Sequence, residues 1–224
     1  MTAALRGVVA FGLLLAVTGV LAASDIPRGS DKITICQACH GRDGNSPYNS
    51  QWEQLTSQDL INQSEHARKF VSNPVWPKLA GQDAQYLAAQ LIDFKLGRRR
   101  DPIMSKMAAD LTEADIFDIA TYYANQKSRP EATDPQASGV RQGEVLYKTG
   151  NPAVGIPACV GCHGPEAHGT STLPRLAGQH TIYLRKQLWA FKSGKRAGSV
   201  MHRVADKLSE ADIDRVARYL AGLK

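Results

Sequence analysis

A gap-free internal repeat constrains this chain more than any other feature. Residues 77–124 align with 174–221 at a constant offset of 97, with 23 identities in 48 positions. Pro77-Lys78-Leu79-Ala80-Gly81-Gln82 matches Pro174-Arg175-Leu176-Ala177-Gly178-Gln179. Tyr86, Leu87, Gln90, Leu91, Phe94, Lys95 and Gly97 match Tyr183, Leu184, Gln187, Leu188, Phe191, Lys192 and Gly194, and Leu111-to-Ile116 matches Leu208-to-Ile213 at five of six positions. Recurrence of this density means one small unit built twice.

The unit reads as helical. Tyr86, Leu87, Gln90, Leu91 and Phe94 share one face of a helix that Gly97 ends. Thr112 starts another, with Asp115 three residues on as a near-capping-box, and Ser209 and Asp212 repeat that start. Its apolar stripe is Ile116, Ile119, Ala120 and Tyr123. No stretch alternates with period two, so the chain is expected to be all-α.

Each copy is preceded by a five-residue motif, Cys36-Gln37-Ala38-Cys39-His40 and Cys159-Val160-Gly161-Cys162-His163. C-x-x-C-H is the attachment signature of a c-type haem. Two thiols at this spacing reach the two vinyl groups of one porphyrin, and the adjoining histidine is held under the iron as its proximal ligand. Zinc would need four ligands, and 119 residues between the two cysteine pairs is a poor spacing for that. A redox dithiol needs no following histidine. All four cysteines lie in the motifs, which leaves none for a disulfide. Two covalently bound haem c groups are therefore expected, on Cys36, Cys39 and His40 and on Cys159, Cys162 and His163. Each would complete the modest core of a domain of roughly 80–100 residues.

The repeat also selects candidates for the sixth iron ligand. The methionines are Met1, Met104, Met107 and Met201. Met201 is the only one in the second copy, and its partner at the offset of 97 is Met104, whereas Met107 aligns with Val204. Met104 and Met201 are thus the expected axial ligands, with Met107 as the alternative to Met104; thioether ligation raises the potential. Of the remaining histidines, His66, His168, His180 and His202, none recurs at an equivalent position. They read as surface or packed residues, with His66 the one to weigh as a displacing ligand. Pro77 and Pro174 stand where a nearby backbone carbonyl can accept the proximal histidine's other N–H.

Outside the repeat, Arg6 and the apolar run Val8–Leu21 followed by Ala22 read as a secretory signal over residues 1–22, with an uncleaved anchor as the alternative. Domain 1 then spans 23–129 and domain 2 spans 139–224, joined by a linker over 130–138 within the Pro-containing stretch Lys127–Ser138. Residues 23–129 carry 13 basic and 13 acidic side chains, and 130–224 carry 13 and 8. A basic second half can steer an acidic partner or be an ordinary solvated surface. No basic-aromatic motif supports nucleic acid. The offset between the motif histidines is 123 rather than 97, so domain 1 holds 26 extra residues between His40 and Pro77, within Ser46–Trp76. Gln51–Val71 could form a helix there, as a surface elaboration or as a docking element or lid.

Together the two C-x-x-C-H motifs, the two Pro-x-Leu-Ala-Gly-Gln segments, the Tyr-Leu-x-x-Gln-Leu-x-x-Phe-Lys-x-Gly helices, Met104 and Met201 resemble the cytochrome c4 family of di-haem c-type cytochromes. The resemblance covers nearly all of the mature chain. It implies two tandem class I cytochrome c domains about an approximate two-fold axis, with His/Met-ligated haems near their interface. It also implies a periplasmic electron carrier, often delivering electrons to a terminal oxidase, and some members are membrane-associated. The insertion departs from the compact family pattern.

The expected function is single-electron transfer between respiratory partners: a donor dehydrogenase or membrane complex, and an acceptor oxidase or reductase. With both axial positions filled no substrate reaches the metal, so the chain is not expected to be an enzyme. Two rivals stand beside this reading. One is an electron-accepting subunit of a dehydrogenase complex; the other is a di-haem enzyme, such as a peroxidase or thiosulfate-oxidising dehydrogenase, with one open iron.

Overall fold

A computed structural model of the chain describes residues 27–47, 76–196 and 198–224. The signal segment, His66 and the expected helix over 51–71 lie outside the described residues. Among the described residues every regular element is helical, and one isolated antiparallel bridge joins Asn151 to Ile156.

In the first half, α1 (Pro27–His40) carries the first motif at its C-terminal end. Helix α2 (Ala84–Lys95) starts where the Asp83 side chain accepts from Gln85 N and Tyr86 N, and α3 is Met104–Ala109. Helix α4 (Glu113–Ala124) begins in a complete Thr112/Asp115 capping box. The second half runs α5 (Ser138–Thr149), a 3-10 turn at Pro152–Val154, α6 (Val160–His163), α7 (Thr181–Lys192), α8 (Ser199–Lys207) and α9 (Glu210–Gly222). Ser209 and Asp212 repeat the capping box at α9, which satisfies two orphan amides at each helix start.

Equivalent helices pack alike. α2 lies against α3 and α4 while α1 meets α4; α7 lies against α8 and α9 while α5 crosses α9. The α5–α9 crossing depends on Gly143, where a Cβ would stand 2.1 Å from the Arg215 carbonyl oxygen. The expected stripe of Ile116, Ile119, Ala120 and Tyr123 is buried. Two apolar clusters form, one around Ile33, Leu87, Ile119 and Tyr123, the other around Tyr147, Leu184, Ile213 and Leu220.

The halves join through reciprocal bonds that follow the repeat. The Gln82 side chain accepts from Arg175 N (2.7 Å) and donates to Arg175 O (2.9 Å). The Gln179 side chain accepts from Lys78 N (2.9 Å) and donates to Lys78 O (2.8 Å). The connecting segment is tied down rather than loose. Lys78 Nζ donates to Arg129 O and Gly178 O, Arg129 N donates to Asn45 Oδ1, and Glu131 N donates to Ala221 O.

Candidate metal centres

The turn after each motif brings a proline carbonyl back to the histidine. His40 Nδ1 donates to Pro77 O at 2.9 Å and His163 Nδ1 to Pro174 O at 3.1 Å. Both imidazoles are buried, at 5 % and 6 % exposure. Burial holds both below the usual histidine pKa, against the opposing pull of the carbonyl bond. Each ring is therefore neutral with its proton fixed on Nδ1, which leaves the Nε2 lone pair as the metal-facing donor.

The carbonyl-bearing segments are set by the loop behind the motif. Leu79 N and Ala80 N donate to Gly44 O; Leu176 N and Ala177 N donate to Ala167 O. Gly44 and Ala167 both adopt left-handed φ, +70° and +57°. A Cβ on Gly44 would lie 2.8 Å from Ala80 N, so the first copy requires glycine there.

Cys36, Cys39 and Cys159 are half-buried and Cys162 is exposed. Burial pushes the Cys36 and Cys39 thiols up and takes Cys159 to about 11. A reactive dithiol has the opposite tuning. Among the described residues no group of three or more His, Cys, Asp or Glu side chains is arranged to hold a metal ion.

Met104 opens α3, its N–H donating to Asp101 Oδ1 at 3.0 Å, and Met201 is the third residue of α8. Both are half-buried, whereas Met107, the alternative to Met104, is 41 % exposed. His180 is buried, His168 and His202 are exposed, and the latter's Nδ1 donates to Phe191 O.

A cationic cluster at the interface was not singled out from sequence. Arg99 donates to Gln90, Tyr183 and Gln187, and Arg196 to Gln187, Tyr86 and Gln90, at 2.7–3.1 Å. The guanidiniums stack on Phe94 and Phe191, 4.6 Å and 4.5 Å from the ring centroids. Burial would push the Tyr183 phenol up, but the two arginines hold it below its usual value. Among the described residues neither guanidinium has a carboxylate within ion-pair distance. Two further donors, Tyr123 Oη and Trp189 Nε1, are buried without a partner in that set. Two guanidiniums without a carboxylate partner suit the acid side chains of a porphyrin, and the histidine tautomers suit its iron. The signal of the cluster was present in the sequence: Tyr86, Gln90 and Arg99 recur at the offset of 97 as Tyr183, Gln187 and Arg196.

The Cytochrome c family model matches residues 140–224. Cytochrome c4 of Pseudomonas aeruginosa is 38 % identical over 218 residues, covering 94 % of this chain and 95 % of that protein. The chain belongs to the cytochrome c4 family. Its structure is similar to that of reduced recombinant cytochrome c4 from Pseudomonas stutzeri, with TM-score 0.72 and 35 % identity over 90 % of this chain and all of that one. A protein named thiosulfate dehydrogenase electron acceptor, from Thiomonas intermedia, is 40 % identical over 163 residues, 70 % of this chain and 75 % of that protein. Membership makes covalent haem c the cofactor of this cytochrome c4 relative. Among the described residues no helix is long and apolar enough to cross a membrane.

Proposed function

We propose that the chain is a di-haem carrier of single electrons, with one haem on Cys36, Cys39 and His40 and the other on Cys159, Cys162 and His163. Met104 and Met201 close the sixth positions. The observation that carries this reading is the pair of buried, neutral histidines, each with Nδ1–H committed to a proline carbonyl. When bound, the haem supplies reversible one-electron chemistry at iron. The protein fixes ligand tautomer and orientation, excludes water from the proximal face and supplies Arg99 and Arg196 as counter-charges. With both axial positions filled, transfer is outer-sphere and the chain is a carrier rather than an enzyme.

The apolar N-terminal run supports export to the periplasm, where the carrier would serve respiratory partners, with electrons leaving towards a terminal oxidase. The Thiomonas relative supports a second reading, service as the electron acceptor of a dehydrogenase complex. The two differ in partner and not in site.

The test is spectroscopic. The oxidised holoprotein should show the methionine-to-iron charge-transfer band in the red at the intensity of two haems, and the reduced form should not bind carbon monoxide. Half intensity, or carbon monoxide on one haem, would overturn the closed-site reading and favour an enzyme.

A further inference from the structure

The two halves mirror each other closely around the proline carbonyls, but one cross-domain connection has no counterpart. Ser46 is 2 % exposed and donates its hydroxyl to Trp76 O at 2.9 Å. Trp76 O belongs to the peptide that joins Trp76 to Pro77, and Pro77 O is the acceptor for His40. The Trp76 ring also meets the His40 ring edge-on, with centroids 6.2 Å apart. On its other side Ser46 Oγ lies 2.9 Å from Nε2 of His180, a second-domain residue only 1 % exposed. That ring's Nδ1 donates to Glu131 Oε1 of the connecting segment at 2.7 Å. Glu131 is fixed in turn by Thr181, whose hydroxyl donates to Oε2 at 2.8 Å.

In the second half the equivalent positions cannot make this chain. Gly169 stands in place of Ser46 at the motif offset of 123, and Asp83 stands in place of His180 at the offset of 97. Leu173 O, the counterpart of Trp76 O, accepts instead from Thr170 N within its own loop at 2.7 Å. Asp83 is used as the cap of α2. The reciprocal glutamines bond both proline-carbonyl peptides across the interface, but the residue before the proline is held within its own loop in the second copy and from across the interface in the first.

We propose that Glu131, His180 and Ser46 are positioning residues through which the second domain sets the reduction potential of the first haem, and of that haem alone. The inference rests on the di-haem reading above. A firmly held acceptor raises the basicity of the proximal imidazole, which favours ferric iron. Freeing Trp76 O lets the Pro77 carbonyl drift from Nδ1, weakens that donation and raises the first potential.

The experiment is spectroelectrochemistry of holoprotein carrying Ser46→Ala or, separately, His180→Gln. The two haems are assigned by a Met201→His reference, which moves only the second. Each variant should raise the first haem's one-electron reduction constant about threefold to tenfold, ~28 to ~59 mV at 59 mV per decade. The second haem should stay at its wild-type value, and the His40 Nδ1–H should exchange faster with solvent. Equal shifts at both haems, or unmoved potentials alongside a lower melting temperature, would show a merely structural role and overturn the proposal. The wild type is measured first: a missing methionine-to-iron band at the first haem would overturn the di-haem carrier reading itself, independently of either variant.

Discussion

Replacing Gly143 by alanine should loosen the frame of the second domain by an amount that the α5–α9 crossing fixes. A Cβ at that position would stand 2.1 Å from Arg215 O, 2.5 Å from Arg215 C and 3.0 Å from Val216 N. All three obstacles are backbone, so no rotamer change can relieve them. To restore ordinary contact the helices must part by about 1.3 Å, which unseats the ridge-into-groove packing of the whole crossing. Overpacking of this kind costs about 1–3 kcal/mol. For a domain of this size each kcal/mol moves the midpoint by roughly 4–8 °C, so a fall of roughly 4–24 °C is expected. Gly139 in the first turn of the same helix supplies the control, because nothing lies within 4 Å of its Cβ position. Gly139→Ala should be neutral or stabilising, by up to about 1 kcal/mol of helix propensity. Thermal unfolding of the two holoproteins, followed by far-ultraviolet and Soret circular dichroism, compares them directly. If Gly143→Ala melts with the wild type, or if Gly139→Ala falls as far, close backbone approach does not govern this crossing.

Other consequences can be checked independently. Asp115 is bonded by Lys32 and by Thr112 N and Oγ1, and these bonds, led by that from Lys32, hold its carboxyl down to about 2. A carboxyl depressed in the folded state contributes stability that is full above about pH 4 and is lost as pH falls towards 2. Asp115→Asn should therefore flatten the acid-unfolding curve of the first domain in that window, and an unchanged curve would sink the assignment. Gln82→Ala and Gln179→Ala each remove two cross-domain hydrogen bonds, a loss of about 2 kcal/mol. Faster tryptic cleavage after Lys127 is the expected sign, and wild-type protection would argue that other contacts hold the halves. Met104→Leu should open the first iron to carbon monoxide while Met107→Leu should not; the reverse pattern would transfer the ligand role to the exposed residue.

The helices that recur in sequence were legible because their signals are local. The Thr112/Asp115 and Ser209/Asp212 starts are contained in four residues each, and the burial of Ile116, Ile119, Ala120 and Tyr123 follows from helical spacing alone. The proline carbonyls were legible for a similar reason, since Pro77 and Pro174 head the repeated segment and the histidines precede it in both copies. The interface was not legible as an interface. Gln82, Tyr86, Gln90 and Arg99 repeat faithfully as Gln179, Tyr183, Gln187 and Arg196, yet spacing within one copy cannot say that the other copy supplies their partners. A polar residue kept in both halves of a duplicated chain, on a helix whose apolar face is already accounted for, is the pattern that would have pointed there.

His180 shows why the unrepeated residues were harder still. Its absence from the first copy removed it from consideration as a ligand, and the same absence gives it its structural meaning. A two-fold arrangement can be satisfied by paired contacts, as the reciprocal glutamines are, but a single connecting segment passes the axis only once. Glu131 lies on that segment, so whatever it fixes must be fixed on one side. The residues it reaches, His180 and then Ser46, lead to the carbonyl beside Pro77 and have no equivalent route to Pro174. Two domains of common origin thus acquire different proximal surroundings without any change in their repeated motifs. On the di-haem reading proposed above, unequal potentials at the two sites would give electrons a preferred direction within the chain, which identical sites could not supply.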